Sequence, residues 1–370
     1  MIYLDNSATT PLSESAKEKI KEMLDIFGNP SSLHSEGLRA EKEVTLAREI
    51  VAKSLMARSD EVYFTSGGTE SDNIAIFGAA KKNIKAGKKI LTTNSEHPAV
   101  SKAVDALEAQ GFEVVRLSTR GGKIDLDEVE RNADDVAFAT VMRTNNETGA
   151  VYDIKSISEI VKKHSPRAIV HSDCVQAYMK EKLSLASIGA DMISISAHKV
   201  HAMKGVGALI IKKGLVIPCH TYGGGQEKNL RSGTENTVGI AAFGASVNEL
   251  MKEDRLSYMT ELYNYAKEKL SVYKENIPEK ACPSILNISL EGYRSEIILH
   301  SLSRKGIFVS SGSACSSHSG KSGVLIAFGL SDREADSAIR ISMSHFNTKE
   351  DIDALASGLT EVTSLIKRVL

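Results

Sequence analysis

The 370-residue chain carries only four cysteines, Cys174, Cys219, Cys282 and Cys315, and no two of them form a CxxC pair. At this length such scatter argues against a disulfide scaffold or a structural zinc site and predicts free thiols in a reducing compartment. A surplus of either charge is missing too: 46 Lys and Arg stand against 47 Asp and Glu, a formal net charge of −1. A nucleic-acid partner therefore has no electrostatic support. With 42% hydrophobic residues the composition is not that of a disordered chain. No apolar run reaches the roughly 18 residues of a membrane-spanning helix. Met1-Ile2-Tyr3-Leu4-Asp5 lacks the basic start and apolar stretch of a secretory signal. The expectation is a cytoplasmic protein without a membrane or nucleic-acid partner. Nucleotide-binding fingerprints are absent as well. Gly320-Lys321-Ser322 looks like the end of a P-loop, but Cys315 stands where that loop needs its first glycine, and no GxGxxG occurs.

What is present is a regular alternation of short apolar runs with helical patterns. Helices are predicted over Ser13–Phe27 and Ser35–Met56, the latter with Leu38, Val44, Leu46, Ile50 and Leu55 as its apolar positions. Strands follow at Glu61–Thr65, Lys89–Thr93, Glu113–Leu117, Val136–Met142, Ala168–Ser172, Met192–Ser196 and Gly207–Ile211. Helices are predicted between them at Thr69–Ile84, Ala99–Ala109, Asp125–Arg131 and Ile154–His164. Strands separated by helices imply right-handed βαβ units and a mostly parallel sheet. Residues 237–273 read as mostly helical. From Pro283 the pattern changes to Ile285–Leu290, Ile297–Lys305, Ile307–Ser310 and a last helix near Glu350–Val369. The expectation is a large α/β domain over 15–258 and a smaller α+β domain over 259–370, joined by 1–14.

In open α/β sheets ligands sit beyond the carboxyl ends of the strands. Ser66-Gly67-Gly68-Thr69-Glu70 follows the strand at 61–65 and opens a helix, whose first N–H groups suit an anion. Taken alone, it reads equally well as a tight turn with a Thr cap. Glu96-His97-Pro98 follows the next strand, and an Asn145-Asn146 pair, common in turns, follows the strand at 136–142. Asp173, with Gln176 three residues on, ends another; an acid there can face a positive ring nitrogen or cap a helix. Ala197-His198-Lys199 follows the apolar strand at 192–196. A lysine so placed is either a surface residue or a desolvated amine suited to a Schiff base. An anion cradle, a carboxylate, hydroxyls and a lysine on neighbouring strand ends form the set that pyridoxal phosphate needs.

These residues carry a family likeness. The chain resembles the cysteine desulfurases, fold-type I pyridoxal-phosphate enzymes of the class V aminotransferase group. The likeness rests on ordered motifs: Tyr3-Leu4-Asp5-Asn6-Ser7-Ala8-Thr9-Thr10, Asn29-Pro30-Ser31-Ser32, Thr65-Ser66-Gly67-Gly68-Thr69-Glu70-Ser71-Asp72-Asn73, Glu96-His97 and Asn145-Asn146-Glu147-Thr148-Gly149. It continues through Ser196-Ala197-His198-Lys199, Gly223-Gly224-Gly225-Gln226-Glu227, Arg231-Ser232-Gly233-Thr234-Glu235-Asn236 and Ser311-Gly312-Ser313-Ala314-Cys315-Ser316-Ser317.

The resemblance implies pyridoxal 5'-phosphate as cofactor, held covalently by Lys199. His97 would stack on its ring and move protons, Asp173 would pair with the ring nitrogen and Gln176 with the ring oxygen. Gly68, Thr69, Ser196 and His198 would hold the phosphate, with Thr234 reaching it from a second subunit of a homodimer. Asn146 and Arg340 would bind the carboxylate of an L-cysteine substrate, with Asn146 also against the cofactor. Cys315 would be the nucleophile that takes the sulfur as a persulfide. It would pass that sulfur to an acceptor or iron–sulfur scaffold protein. No metal is implied. On the same scaffold a selenocysteine lyase or another β-eliminating lyase is the alternative. A non-catalytic regulatory protein that binds the cofactor is a more remote one. The chain departs from the family pattern at Arg143-Thr144, at His201-Ala202-Met203 and at Ser344-His345.

Overall fold

The structure is a computed structural model that describes residues 1–85, 87–252, 254–311 and 322–368. Its strands are β1 Ile2–Tyr3, β2 Val62–Thr65, β3 Lys89–Thr93, β4 Glu113–Leu117, β5 Val136–Thr140, β6 Ile169–Asp173, β7 Met192–Ser196, β8 Gly207–Ile211, β9 Lys274–Glu275, β10 Ile285–Ser289, β11 Ile307–Phe308 and β12 Ala338–Ser342. Its helices are α1 Glu14–Met23, α2 Ser35–Ser54, α3 Gly68–Asn83, α4 Pro98–Glu108, α5 Leu126–Asn132, α6 Ile154–His164, α7 Leu185–Ile188, α8 Thr237–Leu250, α9 Arg255–Leu270, α10 Ser295–Arg304, α11 Gly323–Phe328, α12 Asp332–Asp336 and α13 Lys349–Leu365.

The fold is α/β, as the alternation predicts. Seven strands form one sheet in the order β2-β8-β7-β6-β5-β3-β4, and only β8 runs against the others. Strands β5, β6, β7 and β8 are buried at every residue, because helices cover both faces and leave no side for polar alternation. Buried Val51, Leu55, Val141, Ile157, Ile193 and Phe243 pack in one apolar cluster, and Ile74, Ile90, Val100, Phe138 and Leu209 in another. Chain order doubles back at β3: β4 lies on one side of it and β5 on the other. A crevice opens at such a reversal, beyond the strand ends.

A second, smaller sheet is antiparallel in the order β12-β10-β9. The N-terminal strand β1 pairs with β11, and Asp5 bridges to Ser342, so the start of the chain packs with its last third. Leu4, Leu262, Leu286, Ile298, Ile341, Leu355 and Leu359 form the core there.

Several expected boundaries shift. The helix read over Ser13–Phe27 ends at Met23, and Leu24 and Phe27 lie exposed with no core beneath them. Val44 in α2 and Leu55 just beyond its end are buried, but Leu38 and Leu46 face outward; the core side of that helix is built from Ala40, Ala47 and Val51. Residues 237–273 form two helices, because Asp254 caps a new one by accepting from the Ser257 N–H. The strand expected through Met142 ends at Thr140, and the one expected at Ile307–Ser310 ends at Phe308. No helix among the described residues is long and apolar enough to cross a membrane.

Candidate active site

A cleft with about 790 Å³ of open space lies at the carboxyl ends of the sheet strands. Its walls carry Gly68 and Thr69 from the start of α3, His97 from the start of α4, Asn146 after β5, Asp173 and Gln176 at the end of β6, Ser196, His198 and Lys199 after β7, and Arg340 from β12. The strand-end residues singled out from the sequence thus converge on one place. Thr234 does not line this cleft. It is exposed and faces a smaller hollow with Arg231, Glu235 and Phe64. Cys315 falls outside the described residues.

Each wall has a local cause. Gly67 adopts φ 155°, ψ −179°, a region reserved for glycine, and turns β2 directly into α3. A Cβ on Gly68 would come within 2.7 Å of Val175 Cγ2, so only glycine leaves this wall open. His97 caps α4, with Pro98 in its first turn: Nδ1 accepts from the Ala99 N–H at 3.1 Å, which leaves the ring proton on Nε2. Of the Asn pair, Asn145 does turn chemistry. Its Oδ1 accepts from Glu147 N–H and Thr148 N–H at 2.9 Å, and its amide donates to Ser95 O. Asn146 is thereby turned into the cleft. Asp173 accepts from the Val175 N–H at 2.8 Å and caps no helix.

Lys199 is the centre of the electrostatics. Nζ donates to Ser7 O at 2.5 Å and Ala8 O at 2.7 Å. Burial lowers its pKa to about 7, helped by the positive charges of Lys180 and Arg340 and opposed by Asp5 and Asp173. Burial also holds His97 below the usual imidazole range, against the pull of Asp173. Asp173 is raised by burial, while His97, the Val175 N–H and Lys199 pull it down. His198 falls to about 4, chiefly through burial and then through Lys199, and its Nδ1 lies 3.2 Å from Thr9 Oγ1. Arg340, 1% exposed, donates from Nη1 to Asn146 O and from Nη2 to Asp5 Oδ1, each at 2.8 Å.

Asp72, Ser7, Ala8, Met142, Thr144 and Val175 also line the cleft, and the sequence reading assigned them no role. Asp72 had a signal: it lies one helical turn beyond Gly68 and Thr69, on the same face of α3. The departures from the family pattern also resolve. Arg143 holds Glu181 through Nε and Nη2 at 2.9 and 2.7 Å, and Thr144 donates to the same carboxylate at 2.8 Å. His201 and His345 meet edge to face, ring centres 4.7 Å apart, so two substitutions distant in sequence occupy one spot. Cys174 and Cys282 are buried with raised thiol pKa values, chiefly from burial, and Cys219 is partly buried outside the cleft.

The cleft fits an aromatic phosphate such as pyridoxal phosphate. Ser7 Oγ, Asn146 Oδ1, Ser196 Oγ and Arg340 Nε are buried there with no hydrogen-bonding partner among the described residues. Native interiors rarely leave such atoms unpaired, so a cluster in one cleft marks a polar ligand. No group of three or more His, Cys, Asp or Glu side chains among the described residues is placed to hold a metal.

Residues 2–355 match the sequence profile described as aminotransferase class-V. A curated relative, cysteine desulfurase IscS of Clostridium botulinum, is 38% identical over 379 aligned residues, covering 98% of this chain and 94% of its own. Cysteine desulfurase IscS of Klebsiella pneumoniae is 40% identical, covering 95% of this chain and 90% of its own. Among solved structures, a NifS-like protein superposes with a TM-score of 0.92 at 34% identity, covering 99% of this chain and all of that one.

Proposed function

Because the chain belongs to the class V aminotransferase family, in its cysteine desulfurase group, we propose that it takes sulfur from L-cysteine, releasing L-alanine and leaving a persulfide on Cys315. The observation that carries this reading is the Lys199 amine, its pKa lowered to about 7 chiefly by burial, in a cleft that it shares with Asp173 and with unpaired polar atoms. Pyridoxal 5'-phosphate bound there would supply the electron sink for breaking the substrate Cα–H and Cβ–S bonds. Gly68, Thr69, Ser196 and His198 would hold its phosphate, Asp173 its ring nitrogen and Gln176 its ring oxygen, with His97 and Asn146 against the ring.

The chain's own residues supply the rest. Asn146 and the Arg340 guanidinium orient the substrate carboxylate, and a planar fork suits that group. Lys199, with a pKa near 7, has a share of free amine at neutral pH to take the α-proton and return it. His97, held neutral by its burial, keeps the proton on Nε2 available on the cleft side. The Cys315 thiolate attacks the substrate sulfur. An S–S bond forms, the Cβ–S bond breaks, and its electron pair leaves with the carbon, which takes up a proton to become the methyl group of alanine. Only the thiolate is competent for this attack.

A second copy of the chain completes the site in this reading. What supports it is Thr234, exposed outside its own cleft, and the exposed apolar side chains Phe27, Leu33, Leu38 and Leu46 near the start of the chain. The persulfide then passes to a sulfur-acceptor or iron–sulfur scaffold protein in the cytoplasm. We assign cofactor binding to 15–258 and the Cys315 segment to 259–370 with 1–14. The test is spectroscopic: purified protein shows the visible band of bound pyridoxal phosphate, and Lys199→Ala loses it. A band that survives in Lys199→Ala refutes the role of Lys199.

A further inference from the structure

Behind Lys199 lies a second cavity, distinct from the substrate-side cleft. Lys180, His201, Arg255 and His345 line it together with Met179, Met259 and Met343. Lys199 lines both cavities. Lys180 follows β6 by seven residues, half-buried, four residues beyond Gln176. An ammonium drawn away from water is unfavourable unless it is paired.

This ammonium has a partner. Lys180 Nζ donates to Gln176 Oε1 at 3.0 Å. With its oxygen taken, the Gln176 amide turns its Nε2 to Ser7 O at 2.9 Å. That same carbonyl accepts from Lys199 Nζ at 2.5 Å. One unbroken relay therefore runs Lys180, Gln176, Ser7 carbonyl, Lys199. Without a donor at Lys180 the Gln176 Oε1 loses this partner, and the amide is held only by its Nε2 bond to the Ser7 carbonyl.

We propose that Lys180 is a positioning residue for Lys199: its ammonium fixes the Gln176 amide, which fixes the Ser7 carbonyl on which the Lys199 amine rests, and it places a second positive charge behind that amine. The inference rests on the reading of Lys199 as the cofactor-holding lysine. Two cations near each other in a partly dry site oppose protonation of one another, a known route to an active amine.

The surrounding charges agree with this direction. Among charged groups, Lys180 is the one that acts most strongly on Lys199, ahead of Arg340, with Asp5 and Asp173 pulling the other way. Lys180 itself is lowered to about 8 by burial; Cys282 opposes that shift and Arg340 adds to it. The histidines beside it, His198 and His201, both feel its charge and stay neutral. His345 is neutral as well, held near 3 by burial, so it adds no competing charge, while Arg255 bears on both His201 and His345. At pH 7 Lys180 is therefore charged for the larger part, and Lys199 feels that charge.

The experiment is a pH titration of the visible cofactor band in the holoenzyme, which reports protonation of the nitrogen that Lys199 supplies. Removing the like charge in Lys180→Met lets that nitrogen keep its proton to higher pH. The midpoint is expected to rise by about half a unit or more, the scale of a nearby charge. Lys180→Arg keeps the charge and the donor, and its midpoint stays with the wild type. Lys180→Gln, with no charge, rises as the methionine variant does and serves if that variant does not fold. An unchanged midpoint in the uncharged variants overturns the inference. So does an arginine variant that shifts as far as the uncharged ones, since shape rather than charge is then at work. Failure of the underlying reading is a separate result: no cofactor band in the wild type, or a band that persists in Lys199→Ala.

Discussion

Arg340 offers a perturbation whose size can be worked from the structure. The side chain is 1% exposed and spans the site from β12, with one guanidinium nitrogen on Asn146 O, one on Asp5 Oδ1 and Nε without a partner among the described residues. The Arg340→Lys substitution keeps a positive charge, but a single ammonium cannot hold Asp5, Asn146 and a substrate carboxylate together. A hydrogen bond to a charged group is worth about 1.5–3 kcal/mol. At about 1.4 kcal/mol per factor of ten, losing one such bond lowers kcat/KM about 10- to 150-fold. The loss should fall mainly on KM, because the carboxylate is held equally before and during the chemistry. The assay compares L-cysteine with L-cysteinamide, which lacks the carboxylate, in wild type and Arg340→Lys. The wild type should prefer cysteine by the factor above, and the variant should lose most of that preference. Arg340→Gln should add a fold defect of about 3 kcal/mol, the low end for breaking a buried pair, since the Asp5 side chain is 21% exposed. Equal losses on cysteine and cysteinamide would refute the assignment of Arg340 to the carboxylate.

Three further outcomes are expected. Glu227, its side chain 2% exposed, takes both Arg48 nitrogens at 2.7 and 2.8 Å and the Phe64 N–H at 2.9 Å, and it anchors a turn in which Glu227, Lys228 and Asn229 all have positive φ. Glu227→Gln should lower stability by about 3 kcal/mol, read as a lower urea midpoint with unchanged slope, and an unchanged midpoint contradicts this. Glu96 is buried, accepts from the Met142 N–H and Thr93 hydroxyl, and has its pKa raised to about 8, chiefly by burial. Its folded form keeps a proton that the unfolded chain releases above about pH 4.5, so this group withdraws stability as pH rises from there to about 8, by at most about 1.4 kcal/mol per unit. Glu96→Gln should flatten that part of the stability–pH curve, and an unaltered slope counts against the shift. Gly68→Ala drives a Cβ to 2.7 Å from Val175 Cγ2 in the cleft wall, so it should retain less pyridoxal phosphate after dialysis; equal retention would mean the wall yields.

Much of this architecture is legible in the sequence, for a physical reason. Lys89–Thr93, Met192–Ser196, Gly207–Ile211 and Ile154–His164 run as read, because strands covered on both faces appear as short apolar runs and helices with one apolar stripe write their period into the chain; Glu113–Leu117 also runs as read, although it is a largely uncovered sheet edge. Ends are harder. The break between α8 and α9 has neither glycine nor proline, only the capping Asp254. In α2, alanines rather than the large residues Leu38 and Leu46 face the core, since the close approach of α8 leaves little room. At the site, side chains that end strands could be read from the strands. The Ser7 and Ala8 carbonyls that hold Lys199 could not, since a backbone acceptor has no residue signature. Lys180 looks like any lysine after a strand until the fold shows what its ammonium touches.

The central claim is that sulfur leaves L-cysteine by way of a persulfide on Cys315. The most direct measurement incubates the protein with L-cysteine without reductant and weighs the Cys315-containing peptide by mass spectrometry, in parallel with alanine and sulfide assays under reductant. The account predicts one added sulfur atom on Cys315, and a Cys315→Ser variant that binds cofactor and cysteine but yields no sulfide. Sulfide released at the wild-type rate from Cys315→Ser would contradict it.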